Sequence, residues 1–331
     1  MNSSQPTVIA CISPSYAPCS ATSSPAQKKA NFMIGKTVSK LHTLLNYKRG
    51  NTCLRSMPPS LWIEPTNACN LRCKMCFQSN GMSRQQGFMD MTLYKNIIDT
   101  THRFVDRINL YLAGEPFLHP RIFDMIRHAK KYNLKVRIHT NATLLTKDRC
   151  HEIISSGLDI LSLSFDAISP QYYEETRKGA KFDQTLANIR YLLQHKIESQ
   201  SKSPYTIIEI IENEHTADHI QTFIKQYQDL PVDKFNIARH HSWGGRFLSG
   251  TKEAKALPAC QYLWNSLSIL WDGTVVPCCL DFDAKCVLGN IRDQSLATIW
   301  NNTTIREMRE KQTQHKRVAI ALCKGCDKAE F

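Results

Sequence analysis

The chain of 331 residues is short of glycine (13) and proline (14), and neither recurs at a fixed period, which excludes collagen-like and low-complexity architectures. Long apolar runs are missing as well: no stretch approaches the roughly 18 uninterrupted apolar residues of a membrane-spanning helix. Acidic residues are absent from the first 62 positions, which carry seven Lys or Arg, so more than half of the net charge of +13 sits in an N-terminal arm. Such an arm suits an anionic membrane surface, an acidic partner or nucleic acid. It is read first as solvated, and since no nucleic-acid motif accompanies the charge, nucleic acid is not expected as a partner. The N-terminus also lacks the basic start and apolar core of a secretory signal, its apolar stretch running only from Thr7 to Ile12. It is Ser-rich like an organelle transit peptide but has no Arg before Arg49. A cytoplasmic, reducing location is the expectation.

What the chain does have is a hydrophobic fraction of 42%, enough for a sizeable core, and 13 cysteines. In a reducing compartment, clustered cysteines read as metal ligands or redox groups rather than bridges. Residues 1–30, rich in Ser, Pro and Ala, read as a disordered basic arm. Residues 31–59 read as an amphipathic helix and linker: Ile34, Val38, Leu41 and Leu45 fall at helical spacing, and this stripe is expected to pack on the protein's own surface, with a membrane surface as the alternative. From residue 60 the pattern alternates. Strands are expected at 61–63, 107–112, 135–140, 160–165, 206–211 and 234–238, with helices at 92–104, 120–132, 147–156, 182–195 and 217–227. Six such units predict an α/β fold, a partial (β/α)6 TIM-like barrel of parallel strands over residues 60–245, with functional residues at the C-terminal strand ends. After Trp243-Gly244-Gly245 the alternation stops, and residues 246–331 form a small Cys-rich C-terminal extension.

Cys69, Cys73 and Cys76 follow the first strand as Cys-x3-Cys-x2-Cys. Zinc would need a fourth ligand to close a structural site. Three thiolates suit an iron-sulfur cube with one iron left open. With Phe77 after the third cysteine, the segment resembles the cluster loop of the radical S-adenosylmethionine (SAM) superfamily. The resemblance implies a 4Fe-4S cluster whose open iron binds SAM, and reductive cleavage of SAM to a 5'-deoxyadenosyl radical that abstracts a hydrogen atom. It extends to the later strand ends. Gly114 and Glu115 resemble the family's Gly-Gly-Glu segment, with Ala113 as the departure; the Gly would let backbone approach the ligand and the carboxylate would pair with the SAM ammonium. Asn141 ends the third strand, Ser164 and Asp166 resemble the ribose- and carboxylate-contacting segment, and Arg177 matches the arginine that holds the SAM carboxylate.

Cys260, Cys278, Cys323 and Cys326 form a second set, with a hairpin expected across Ser268–Pro277 around Asp272-Gly273. Four thiolates close a site, either structural zinc or a fully ligated 4Fe-4S cluster. The segment resembles the SPASM/Twitch extensions of radical SAM enzymes, down to Leu288-Gly289-Asn290-Ile291, which implies one auxiliary 4Fe-4S cluster. Cys279 should point away from its neighbouring ligand and is a candidate hydrogen-atom donor; Asp281 is a candidate base.

A deoxyadenosyl radical must be shielded from water and held beside its target C–H bond, which a barrel mouth can do. The first expectation is a radical enzyme that dehydrogenates or epimerises a small molecule (a sugar, aminocyclitol or polyol), fed by a low-potential donor such as flavodoxin or ferredoxin. Modification of a ribosomal peptide or lipid is the alternative within the family, and a zinc-stabilised binding protein is the alternative outside it.

Overall fold

The computed structural model describes residues 38–239 and 258–327. The arm at 1–30, Ile34 at the head of the expected helix, and Trp243-Gly244-Gly245 lie outside the described residues.

A helix at 38–48, α1, leads into β1 (Ser60–Ile63) and the two-residue β2 (Arg72–Cys73). Then come α2 (Met91–Thr101), β3 (Arg107–Asn109), α3 (Ile122–Lys130), β4 (Lys135–Thr140), α4 (Lys147–Ser155) and β5 (Ile160–Ser164). The series continues with α5 (Pro170–Thr176), the two-residue β6 (Arg177–Lys178), α6 (Phe182–Glu198), β7 (Tyr205–Glu212), α7 (Ile220–Tyr227) and β8 (Lys234–Arg239). Local chemistry sets several of the helix starts. Asp90 accepts from the amides of Thr92 and Leu93, Thr146 caps α4, and Ser169 caps α5 ahead of a proline at its first position.

Strands β1, β3, β4, β5, β7 and β8 are adjacent in that order and all parallel. The C-terminal extension contributes α8 (Tyr262–Asn265), β9 (Ser266–Ile269), β10 (Thr274–Val276), β11 (Gly289–Asn290), α9 (Leu296–Trp300) and α10 (Thr303–Thr313). Strand β9 pairs parallel with the free edge of β1, and β10 and β11 follow antiparallel. The expected hairpin is therefore present, but it prolongs the barrel sheet to nine strands instead of forming a sheet of its own.

Each strand alternates between an apolar and a polar face. Leu61, Ile108, Val136, Ile138, Leu161 and Ile208 are fully buried in one core with Tyr94, Ile97, Met125 and Leu192 of the helices. The opposite face is different. The register sets Trp62 beside Asn109 and Asn109 beside Arg137, then His139 beside Ser162 and Ser164 beside Glu209. Since side chains of paired strands share a face, these residues line the concave side of the partial barrel. The main apolar core thus lies between sheet and helices, and the barrel interior is a polar chamber.

Helix α1 departs from the expected packing. It docks through Thr43, Asn46 and Tyr47: the Tyr47 hydroxyl donates to the Ala259 carbonyl (2.8 Å), and its ring meets Trp264 edge-on. Val38, Leu41, Leu44 and Leu45 stay exposed. The reason is non-local, because the C-terminal extension supplies the aromatic and carbonyl partners that turn the Tyr47 face inward. Among the described residues no helix is long and apolar enough to cross a membrane.

Candidate active site

The segment between β1 and α2 carries the first three cysteines. Its backbone is anchored by the β2–β6 ladder, which sets Cys73 opposite Arg177, and by the Glu115 amide donating to the Ala68 carbonyl (2.9 Å). Gly114 makes the second anchor feasible: a Cβ there would stand 2.4 Å from the Ala68 carbonyl oxygen and 2.5 Å from that of Thr66. Its lack of a side chain serves close approach to this loop.

The Cys69, Cys73 and Cys76 thiols lie near enough to influence one another electrostatically. Burial pushes all three up, Cys69 to about 12. They are therefore protonated in the protein alone, and only a metal centre of matching charge and softness would draw them out as thiolates.

Glu115 is buried with three protein donors: Thr140 Oγ1 (2.8 Å) and the Phe117 amide (3.1 Å) on Oε1, and the Asn141 amide (2.8 Å) on Oε2. Burial raises its pKa against the lowering effect of these bonds. A carboxylate accepts about four hydrogen bonds, so one position remains for an ammonium. Asn141 ties the end of β4 to the loop, its Nδ2 donating to Asn70 Oδ1 (3.0 Å). Arg177 forms a buried ion pair with Asp166 and also a hydrogen bond to the Cys73 thiol. Asp166 Oδ1 accepts from the Ile211 amide (2.8 Å), so the pair is locked to β7. Phe77 stacks on Phe282, ring centroids 3.4 Å apart, and joins the loop to the C-terminal extension. Arg84 reinforces this junction by a bidentate pair with the buried Glu64 (2.7 and 3.0 Å) and a bond to the Phe282 carbonyl.

Cys260, Cys278, Cys323 and Cys326 line one enclosed, largely apolar pocket together with Leu280 and Arg317. Burial raises Cys260 and Cys278, and takes Cys323 to about 12. Arg317 is buried beside them, its Nη2 donating to the Cys326 carbonyl (3.0 Å), and its charge opposes the rise at Cys260 and Cys323. Four thiols with a buried cation suit a site that will carry anionic sulfur.

Cys279 belongs to neither set. It shares a hydrogen bond with the Tyr262 hydroxyl and lies near Tyr111. Tyr111 in turn is hydrogen-bonded to Trp62 and meets His139 edge-on at 5.5 Å. Across the chamber, Arg137 Nη2 donates to Ser162 Oγ (2.8 Å) and Glu209 Oε1 (2.9 Å), and His139 Nε2 shares a 2.6 Å hydrogen bond with Ser164. Among the expected residues, Ser164 belongs to this wall. Arg137, His139 and Glu209 are not among the expected site residues, although the alternation Lys-Val-Arg-Ile-His-Thr at 135–140 carries the signal for the first two.

Asp281, the candidate base, lies three residues after Cys278. Its carboxylate accepts from the Lys285 amide (2.9 Å) on one oxygen and the Cys286 amide (2.8 Å) on the other, while the side chain is buried. It shapes the loop after Cys278.

Residues 63–223 match the model of the Radical SAM superfamily, and residues 260–327 match that of an iron-sulfur cluster-binding domain, SPASM. The chain belongs to the radical SAM superfamily and is a radical SAM enzyme with a C-terminal SPASM-type domain. These domains imply 4Fe-4S chemistry and SAM binding, and they replace the reading of a non-catalytic zinc-stabilised protein. The chain is similar to the tungsten-containing aldehyde ferredoxin oxidoreductase cofactor-modifying protein of Pyrococcus furiosus, at 26% identity over 287 residues, covering 73% of this chain and 80% of that one. It also resembles the S-adenosyl-L-methionine-dependent 2-deoxy-scyllo-inosamine dehydrogenase of Niallia circulans (24% identity; 80% of this chain, 91% of that one). In fold it matches Streptococcus suis SuiB bound to precursor peptide SuiA, with a TM-score of 0.67 at 16% identity over 94% of this chain and 78% of SuiB.

Proposed function

We propose that Cys69, Cys73 and Cys76 hold the SAM-binding 4Fe-4S cluster, that Cys260, Cys278, Cys323 and Cys326 hold one auxiliary 4Fe-4S cluster, and that the substrate is a small sugar, polyol or aminocyclitol. When bound and reduced, the first cluster supplies the electron that cleaves SAM to a 5'-deoxyadenosyl radical, the species that takes a hydrogen atom. The observation that carries the reading is the polar concave face of the sheet, lined by Tyr111, Arg137, His139, Ser164 and Glu209, with Arg177, hydrogen-bonded to Cys73, near His139 and with Cys279 near Tyr111. The dehydrogenase named for the Niallia relative supports the same substrate class.

In this reading, Glu115 offers its remaining acceptor position to the SAM ammonium, and Arg177 keeps its pair with Asp166 while its unpartnered Nε reaches the SAM carboxylate. The Phe77–Phe282 stack and the Arg84–Glu64 pair hold the loop and extension together and so exclude water from the chamber. Cys279 is placed to return a hydrogen atom in an epimerisation, leaving a thiyl radical that the electron donor would reduce; in a dehydrogenation the substrate radical would instead give one electron to the auxiliary cluster and one proton to a base, leaving the oxidised product. A flavodoxin or ferredoxin in a reducing cytoplasm is the proposed electron source. The exposed apolar stripe of α1, flanked by Lys48 and Arg49, supports attachment to an anionic membrane surface.

Anaerobic reconstitution of the full chain tests the proposal. It should yield about eight irons per chain, four for each cube, and release 5'-deoxyadenosine on reduction with SAM present. About four irons per chain, or no SAM cleavage, would contradict it.

A further inference from the structure

We propose that Glu209, with Arg137 and His139, forms a hydroxyl-binding subsite for an uncharged face of a polyol, and that the chamber rejects phosphorylated or carboxylated substrates. This rests on the reading above that hydrogen abstraction takes place inside the barrel.

Geometry is the first support. The Arg137, His139 and Glu209 side chains come from adjacent parts of β4 and β7 across β5, and each stays partly open to the chamber while the opposite faces of the same strands are sealed. Glu209 Oε1 is taken by Arg137 and the carboxylate is also hydrogen-bonded to Ser162, but Oε2 stands 3.8 Å from His139 Nε2, too far for a hydrogen bond. His139 Nε2 is engaged with Ser164, so Oε2 keeps acceptor capacity towards the chamber, where a ligand hydroxyl can donate to it.

Charge is the second. Arg137 and Glu209 compensate each other, and so do Asp166 and Arg177 at the mouth. Burial holds His139 below its ordinary pKa against the pull of Glu209, so the ring is neutral at neutral pH. The other basic side chains on this face, Arg107, Lys135 and Lys234, sit two residues lower, exposed at the N-terminal strand ends. Around the chamber's centre the described residues therefore present no uncompensated cation. A phosphate or carboxylate brought there would lose its hydration without a counter-charge.

The aromatic groups are the third. Trp62, Tyr111 and Tyr262 border the same space, with Trp62 and Tyr262 in edge contact at 5.3 Å. Polyol rings present hydroxyls at their rim and C–H groups on their faces, so a carboxylate–guanidinium pair beside aromatic walls matches both.

The test is calorimetric titration of the anaerobically reconstituted, SAM-loaded full chain with scyllo-inositol, 2-deoxy-scyllo-inosamine and myo-inositol 1-phosphate. The wild-type protein should bind at least one of the first two saturably and the phosphate far more weakly, a comparison that needs no variant. Glu209→Gln should weaken polyol binding about 10- to 100-fold, the range for losing a hydrogen bond to a charged group, and Glu209→Asp should lose less. Iron content and unfolding midpoint report whether each variant has folded, and His139→Gln provides a second variant, expected to weaken the polyols in the same way. Equal or tighter binding of the phosphate, no polyol binding, or unchanged affinity in folded Glu209→Gln would overturn the subsite. Wild-type deoxyadenosine formation without polyol is the separate control: its presence beside failed polyol binding sinks the subsite alone, and its absence takes the proposed function down with it.

Discussion

Cys278 and Cys279 are adjacent in the chain, and Tyr262, which lines the pocket of the first, is hydrogen-bonded to the second. Cys278 lines the enclosed pocket with Cys260, Cys323 and Cys326, while Cys279 is hydrogen-bonded to Tyr262 and lies near Tyr111 at the barrel chamber. One peptide bond thus links the proposed auxiliary cluster to the proposed reaction space.

If the product is an epimer, Cys279→Ala should abolish solvent-deuterium incorporation at the abstracted carbon while hydrogen abstraction continues. Mass spectrometry of product formed in deuterated water reads this directly. Undiminished incorporation would remove Cys279 as the donor.

Gly114→Ala should loosen the first cysteine loop. The new methyl would stand 2.4 and 2.5 Å from two backbone oxygens, which have no side-chain freedom with which to give way. Overpacking of this kind costs about 1–3 kcal/mol. A lower unfolding midpoint and loss of iron from one of the two clusters are expected; a variant with full iron content and an unchanged midpoint would contradict this role.

The pH dependence of stability should contain a contribution from His119. The Met89 carbonyl can only accept, so Nε2 carries the proton in that 2.9 Å bond, and Nδ1 accepts from the Arg121 amide (3.1 Å). Protonating Nδ1 breaks the second bond, and burial holds the pKa below its ordinary 6.5. The unfolded chain therefore takes up the proton first. Stability should fall as pH drops below about 6.5, with no contribution from this residue above that value. Urea midpoints between pH 7.5 and 5 should fall more gently in His119→Gln; parallel curves would contradict the assignment.

The β/α units were legible because each strand and helix carries its own periodicity, and the cysteine sets because their spacing is local. The chamber wall was also written locally, as period-two alternation in strands such as Lys135–Thr140. A strand covered by helices on both sides would be continuously apolar, so the polar positions already imply an open inner face. Other features depend on partners distant in sequence. Nothing near Phe77 announces Phe282, nothing near Gly114 announces the Thr66 and Ala68 carbonyls, and nothing near Tyr47 announces Ala259 and Trp264. Asp281 read as a base because its type suits one; its use as a loop cap depends on how the chain turns at residues 281–286.

Deuterium transfer tests the central claim most directly. Ring-deuterated 2-deoxy-scyllo-inosamine or scyllo-inositol, incubated anaerobically with reduced wild-type enzyme and SAM, should yield 5'-deoxyadenosine one mass unit heavier, and Cys73→Ala should yield none. Unlabelled deoxyadenosine from the wild type with every polyol offered, or labelled deoxyadenosine from Cys73→Ala, would contradict the account.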